Sequence, residues 1–73
     1  RDPDAIKEGK EAVEAFLNSD AGKMFTGFDL DSDVSKMEGT ALENRIKTLK
    51  KIKEQTGIEA DEYLDSKIQE AEV

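Results

Sequence analysis

Three carboxylates at alternating positions, Asp29-x-Asp31-x-Asp33, are the residues of this chain best spaced for chemistry. They match positions 1, 3 and 5 of an EF-hand loop, where alternating side chains converge on one calcium ion. The remainder of that loop is missing: Val34 stands where the sharp turn needs Gly, and Thr40 stands where a bidentate Glu completes the coordination. Three acids ahead of a helix are more simply capping groups and partners for the positive end of the helix dipole. Weak calcium binding at 29–33 is the metal reading they allow, and no tight metal site or cofactor is expected.

The run Arg45-Ile-Lys-Thr-Leu-Lys-Lys-Ile-Lys53 offers the opposite charge. Its lysines have the valence to contact phosphates, but the chain carries 18 acids against 11 bases, a net charge of −7, and no aromatic residue lies among them. A nucleic-acid binder needs a basic footprint, so no direct nucleic-acid binding is expected and a solvated helix face is the simpler account. The inverse idea, carboxylate rows that mimic phosphates and occupy a basic partner, is compatible with −7 but weakened by the nine Lys.

An enzyme would have to work with carboxylates, Lys, Ser and the single Tyr63, because the chain holds no Cys and no His. That excludes thiolate nucleophiles, disulfides, Cys-based zinc or iron–sulfur sites and imidazole acid–base chemistry. Acid pairs at helical spacing, such as Glu8 with Glu11 or Asp61 with Asp65, arise by chance when one residue in four is acidic. No set of residues meets a geometry-first test for an active site, and the expectation is a protein that is not an enzyme.

The elements that must position these residues are helical. Asp2-Pro3 is a capping acceptor followed by the residue best suited to the first helical position, and Ile6, Val13, Phe16 and Leu17 then recur on one face, giving a first helix over about 3–18. Gly9 falls among those apolar positions, where it marks either a close helix crossing or nothing. Ser35-x-x-Glu38 and Thr40-x-x-Glu43 both have capping-box spacing. The stripe Val34, Met37, Ala41, Leu42, Ile46, Leu49 and Ile52 favours one continuous helix over about 33–55, passing through Gly39. Gly57-Ile58 has the pattern of a left-handed C-terminal cap with its hydrophobic contact. A third helix over about 59–71 carries a thin stripe of Ala60, Tyr63, Leu64, Ile68 and Ala71.

Between the first two helices, the connection 19–32 holds a short helical turn and an unusual apolar content: Met24, Phe25, Phe28 and Leu30. It is expected to fold over the bundle end as a lid, or to dock a partner, since exposed Phe and Met are what interaction surfaces favour. The fold class that follows is all-α, a small three-helix bundle forming a single domain or a fragment of something larger.

Net charge runs −5 over residues 1–34, +3 over 43–55 and −5 over 56–73, so a basic middle helix has acidic neighbours in sequence. On a helical projection Arg45 falls inside the apolar stripe, while Lys47, Lys50 and Lys51 face away. The expected role of Arg45 is a packed stem whose guanidinium reaches an acid on the first or third helix; the alternative is an anchor for a partner's carboxylate.

A 73-residue chain buries only about 60% of the surface its unfolded form exposes, and here Leu, Ile, Val and Phe are scarce. That points to a non-enzymatic interaction or structural module, a peripheral subunit that docks on another protein or larger assembly, with a homo-oligomer as one form of this. Met24, Phe25, Phe28 and Tyr63 are the candidate partner-binding residues, and Arg45, Glu59 and Glu62 the candidate charge-pairing ones. The alternative is an acidic regulator of a basic partner. No apolar run approaches the ~20 residues of a membrane-spanning helix, so a soluble chain is expected. It begins at Arg1, which suggests a processed product, after removal of a leader or transit segment, or an excised piece. Compartment is not encoded in what remains.

Overall fold

Asp2 opens the computed structural model, which describes residues 2–73. Its Oδ1 accepts the Asp4 N–H at 3.0 Å, Pro3 follows at the first helical position, and α1 runs over Pro3–Leu17. A tight 3₁₀ turn, Asp20–Phe25, is followed by an irregular strap, 26–33, with turns at 26–27 and 30–31, which leads to a second 3₁₀ turn at Val34–Lys36. Helix α2 spans Gly39–Gln55, a third 3₁₀ turn spans Ile58–Ala60, and α3 spans Asp61–Glu72. The chain is thus the all-α three-helix bundle expected, with no strand among the described residues.

Helix α3 is the hub: both α1 and α2 pack on it. Val13, Leu49, Ile52, Ala60 and Leu64 are fully buried between the three helices, with Tyr63 and Ile68 beside them. Gly9 is the point of closest approach. A Cβ there would lie 2.6 Å from Tyr63 Cβ and 3.2 Å from the Glu59 carbonyl oxygen, so only Gly lets α1 cross the start of α3 at this distance. Of the two readings of Gly9, the close crossing is the one observed.

Charge complementarity holds between α2 and α3. Lys53 Nζ lies 2.7 Å from Asp65 Oδ1 and Lys50 Nζ lies 3.6 Å from Glu72 Oε2. The acids of α1 play no such part: the one ion pair that α1 makes with another element joins Lys10 to Asp31 of the strap, at 3.1 Å, among the described residues.

Two boundaries differ from expectation. Helix α2 does not run from residue 33 through Gly39; it begins at Gly39, whose φ of +59° is left-handed and breaks the right-handed path. Upstream, Met37 and Glu38 are extended, and Asp33 caps only the 3₁₀ turn, accepting the Ser35 N–H at 3.0 Å and its Oγ–H at 2.6 Å. Val34 and Met37 remain half-buried, so their apolar character reflects a chain folded back on the bundle rather than another turn of helix. At the other end, Gly57 has φ −82° and forms no left-handed cap. Thr56 closes α2 instead, its N–H and its hydroxyl both donating to the Ile52 carbonyl, at 3.1 and 3.0 Å. Ile58, freed from the expected cap contact, is 87% exposed.

Candidate functional site

A concave region lies where the strap crosses α2. Arg45 stands on α2 in the apolar stripe, as its register predicts, and is 4% exposed. Its guanidinium does not reach an acid. Nη1 donates to the Asp29 carbonyl and Nη2 to the Leu30 carbonyl, both at 2.7 Å, and the ring of Phe28 packs on it with Cζ 5.1 Å from the centroid. The expected pairing with a carboxylate of α1 or α3 is therefore corrected. A buried cation needs acceptors, and the strap brings two backbone oxygens closer than any acid side chain. Nε of Arg45 is buried with no hydrogen-bond partner.

The strap holds its shape through its own acids. Asp29 Oδ1 accepts the Asp31 N–H at 2.9 Å, Asp31 turns to Lys10, and Asp33 turns to Ser35. The three carboxylates of the EF-hand-like spacing therefore face three different partners, and no group of three acids placed to hold a metal occurs among the described residues. Hydrogen bonds from Ser35 hold the Asp33 carboxyl below the usual Asp range, and the hydrogen bond to Asp31 raises the Lys10 ammonium above its usual value.

Under the strap lies an open cavity of about 260 Å³. Gly27, Phe28, Asp29 and Ser32 form one wall; Met37 and the α2 residues Ala41, Asn44, Arg45 and Thr48 form the other. The side chains of Ser32, Asn44 and Thr48 have no hydrogen-bond partner among the described residues.

The expected partner-binding residues separate into two groups. Met24 is 70% exposed and Phe28 half-buried, whereas Phe25 and Tyr63 are core side chains at 8% and 3%. Phe25 packs on Phe16, ring centroids 5.9 Å apart, and Tyr63 sits under the Gly9 crossing, so neither offers a surface to a partner. The lid expected of the 19–32 segment is what Phe25 and Leu30 form. Burial, with the negative charges of Asp31 and Glu14 adding to it, pushes the Tyr63 hydroxyl up to about 12, and that hydroxyl is buried without a partner. Glu59 and Glu62 are exposed and make no ion pair among the described residues.

No family model matches the chain, and comparison with curated proteins and with solved structures gives no match. Sequence reasoning named Phe28, Asp29 and Arg45 in other roles and missed the cavity residues Ser32, Asn44 and Thr48, and the exposure of Ile58. A signal for the cavity existed: Ala41, Asn44, Arg45 and Thr48 recur at helical spacing and place small and polar groups on one face of α2. Ile58 carried no such signal, because its pattern fits a cap contact equally well.

Proposed function

We propose that this chain is a non-enzymatic helical module that docks on another protein, as a peripheral part of a larger assembly, through the bundle end at the C-terminus of α2. One observation supports this reading above others: two large apolar side chains, Met24 and Ile58, are exposed around that end. Met24 Sδ lies 3.9 Å from Gln55 Nε2, in the last turn of α2, and Ile58 follows Gln55 by three residues. Glu54, Glu59 and Glu62 are exposed in the same stretch. The complementary partner surface is an apolar socket with a basic rim.

A photo-crosslinking residue placed at Ile58 should trap one defined partner in extract of the source cells, and the same residue at Lys47, two turns back along α2, should not. Equal labelling from both positions would refute the docking end. Self-crosslinking at Ile58, with dimers in sedimentation equilibrium, would make the partner a second copy.

The acidic-regulator reading is favoured by a different observation: Glu8, Glu11 and Glu14 are exposed on α1 and form no ion pair among the described residues, Glu14 adding only to the field at Lys10. Salt separates the two, because a charge-led complex weakens as the Debye length falls below about 8 Å while apolar docking persists. Charge reversal at Glu8, Glu11 and Glu14 should abolish the charge-led complex and spare apolar docking, and Met24→Ser with Ile58→Ser should do the opposite.

A further inference from the structure

The cavity beside Arg45 has a chemistry independent of the docking end. Its wall contains a guanidinium 4% exposed that is paired with no carboxylate among the described residues, and whose unpartnered Nε is buried behind that wall. Neutral carbonyls satisfy two of its donors but leave its charge uncompensated, and removing a cation from water without a counter-charge is costly. Around it stand three side chains with free hydrogen-bonding capacity, Ser32, Asn44 and Thr48, and an apolar lining from Phe28, Met37 and Ala41.

From this combination we infer that the cavity binds a short aliphatic carboxylate, its anionic end directed to the Arg45, Asn44 and Thr48 wall and its tail along Phe28 and Met37. The volume of about 260 Å³ accommodates roughly eight or nine non-hydrogen atoms at ~30 Å³ per water-sized group. Asp29 is the one acid in the lining, and it opposes an anion. Its Oδ1 is engaged by the Asp31 N–H, which holds the carboxylate onto its own backbone. The same carboxylate chemistry is available from a free small acid or from the C-terminus of a peptide.

Backbone and Arg side-chain ¹H–¹⁵N spectra of the full chain, titrated with hexanoate to about 20 mM, test the inference, since a ligand this small binds weakly at best. Saturable shifts should centre on 27–32, on 37–48 and on the Arg45 Nε–H, with 1-hexanol and hexylammonium each at least about tenfold weaker. Ala41→Leu fills the cavity from an exposed position on α2 and should abolish the shifts while leaving the spectrum folded. Asp29→Asn, which keeps the turn acceptor and removes the opposing charge, should tighten binding about threefold. An Arg45 variant is not needed, which avoids confusing lost binding with lost folding. Peptides ending in Leu, as free acid and as amide, distinguish the sources: a free-acid peptide tighter than hexanoate names a protein tail, and the reverse names a small acid. Equal binding of hexanol, preference for hexylammonium, weakening by Asp29→Asn, persistence in Ala41→Leu, or no saturable shift would overturn it.

Discussion

The two ends of α3's neighbourhood are closed in opposite ways. At the α1 crossing, Gly9 meets Tyr63 Cβ and the Glu59 backbone with no room for a methyl group. At the strap, two hydrogen bonds from one guanidinium and the face of one Phe hold 27–32 against α2, with buried Leu30 and the Lys10–Asp31 pair beside them, and a cavity remains. A contact set by shape fails when volume is added; a contact set by polar pairing fails when a donor is lost. The first seals the core, and the second leaves a segment that can accommodate a ligand.

The sharpest way to break this contrast is Gly9→Val. Its branched side chain collides with Tyr63 Cβ and with the backbone at Glu59, and overpacking of this kind costs about 3 kcal/mol or more when backbone must move. A urea midpoint that falls little would mean that α1 and α3 separate easily. Next comes Arg45→Met, which removes two charge-assisted hydrogen bonds and leaves the Asp29 and Leu30 carbonyls without their donor, at a cost of about 2 kcal/mol. Amide exchange should rise in the strap and stay slow in α3; a uniform rise would show that the strap is part of the core.

Tyr63 sharpens the comparison because it spans both sides: its Cβ lies under Gly9, and its buried hydroxyl feels the charges of Asp31 and Arg45. Tyr63→Phe removes a buried donor that has no partner and should leave the protein as stable or more so, by up to about 1 kcal/mol. The hydroxyl titrates near 12 in the fold against about 10 when unfolded, so the folded state holds this proton more tightly. The resulting stability is fully present below pH ~10 and is lost as pH rises toward 12. Lys10 and Lys53, whose values are also raised, lose their pairing in the same direction, so Tyr63→Phe should shallow the alkaline loss without removing it. As the chain has one Tyr and no Trp, tyrosinate absorbance reports this group alone. The smallest effect belongs to Ile58→Ser, expected to leave the midpoint within about 0.5 kcal/mol because the side chain is 87% exposed.

What was legible in the sequence was local. Asp2-Pro3 specifies a helix start with two residues, and periodicity alone places Val13, Leu49, Leu64 and Arg45 inside. The glycines show where this ends. Gly9, Gly39 and Gly57 are the same residue used for a close crossing, for a left-handed turn, and for an extended link. Periodicity through Gly39 looked unbroken because Val34 and Met37 pack from a folded-back chain. The partner of Arg45 was not legible at all: its acceptors are main-chain carbonyls 15 and 16 residues away, and every residue type carries one. The same reasoning separated Met24 from Phe25 only once the turn at Asp20–Phe25 fixed which side faces in.

Because Arg45 grips the main chain of the strap and not its side chains, the grip is indifferent to residue identity at the positions it holds. Asp29 and Asp31 still shape the strap through the Asp31 N–H and Lys10, so Ser32, whose side chain takes no part in either, is the position that can be exchanged most widely while the anchoring geometry persists. The segment is in that sense a replaceable panel on a fixed frame. A library randomised at 32 would retain folded members at high frequency, and selection on it could change what this cavity wall recognises while α1 and α3 stay untouched.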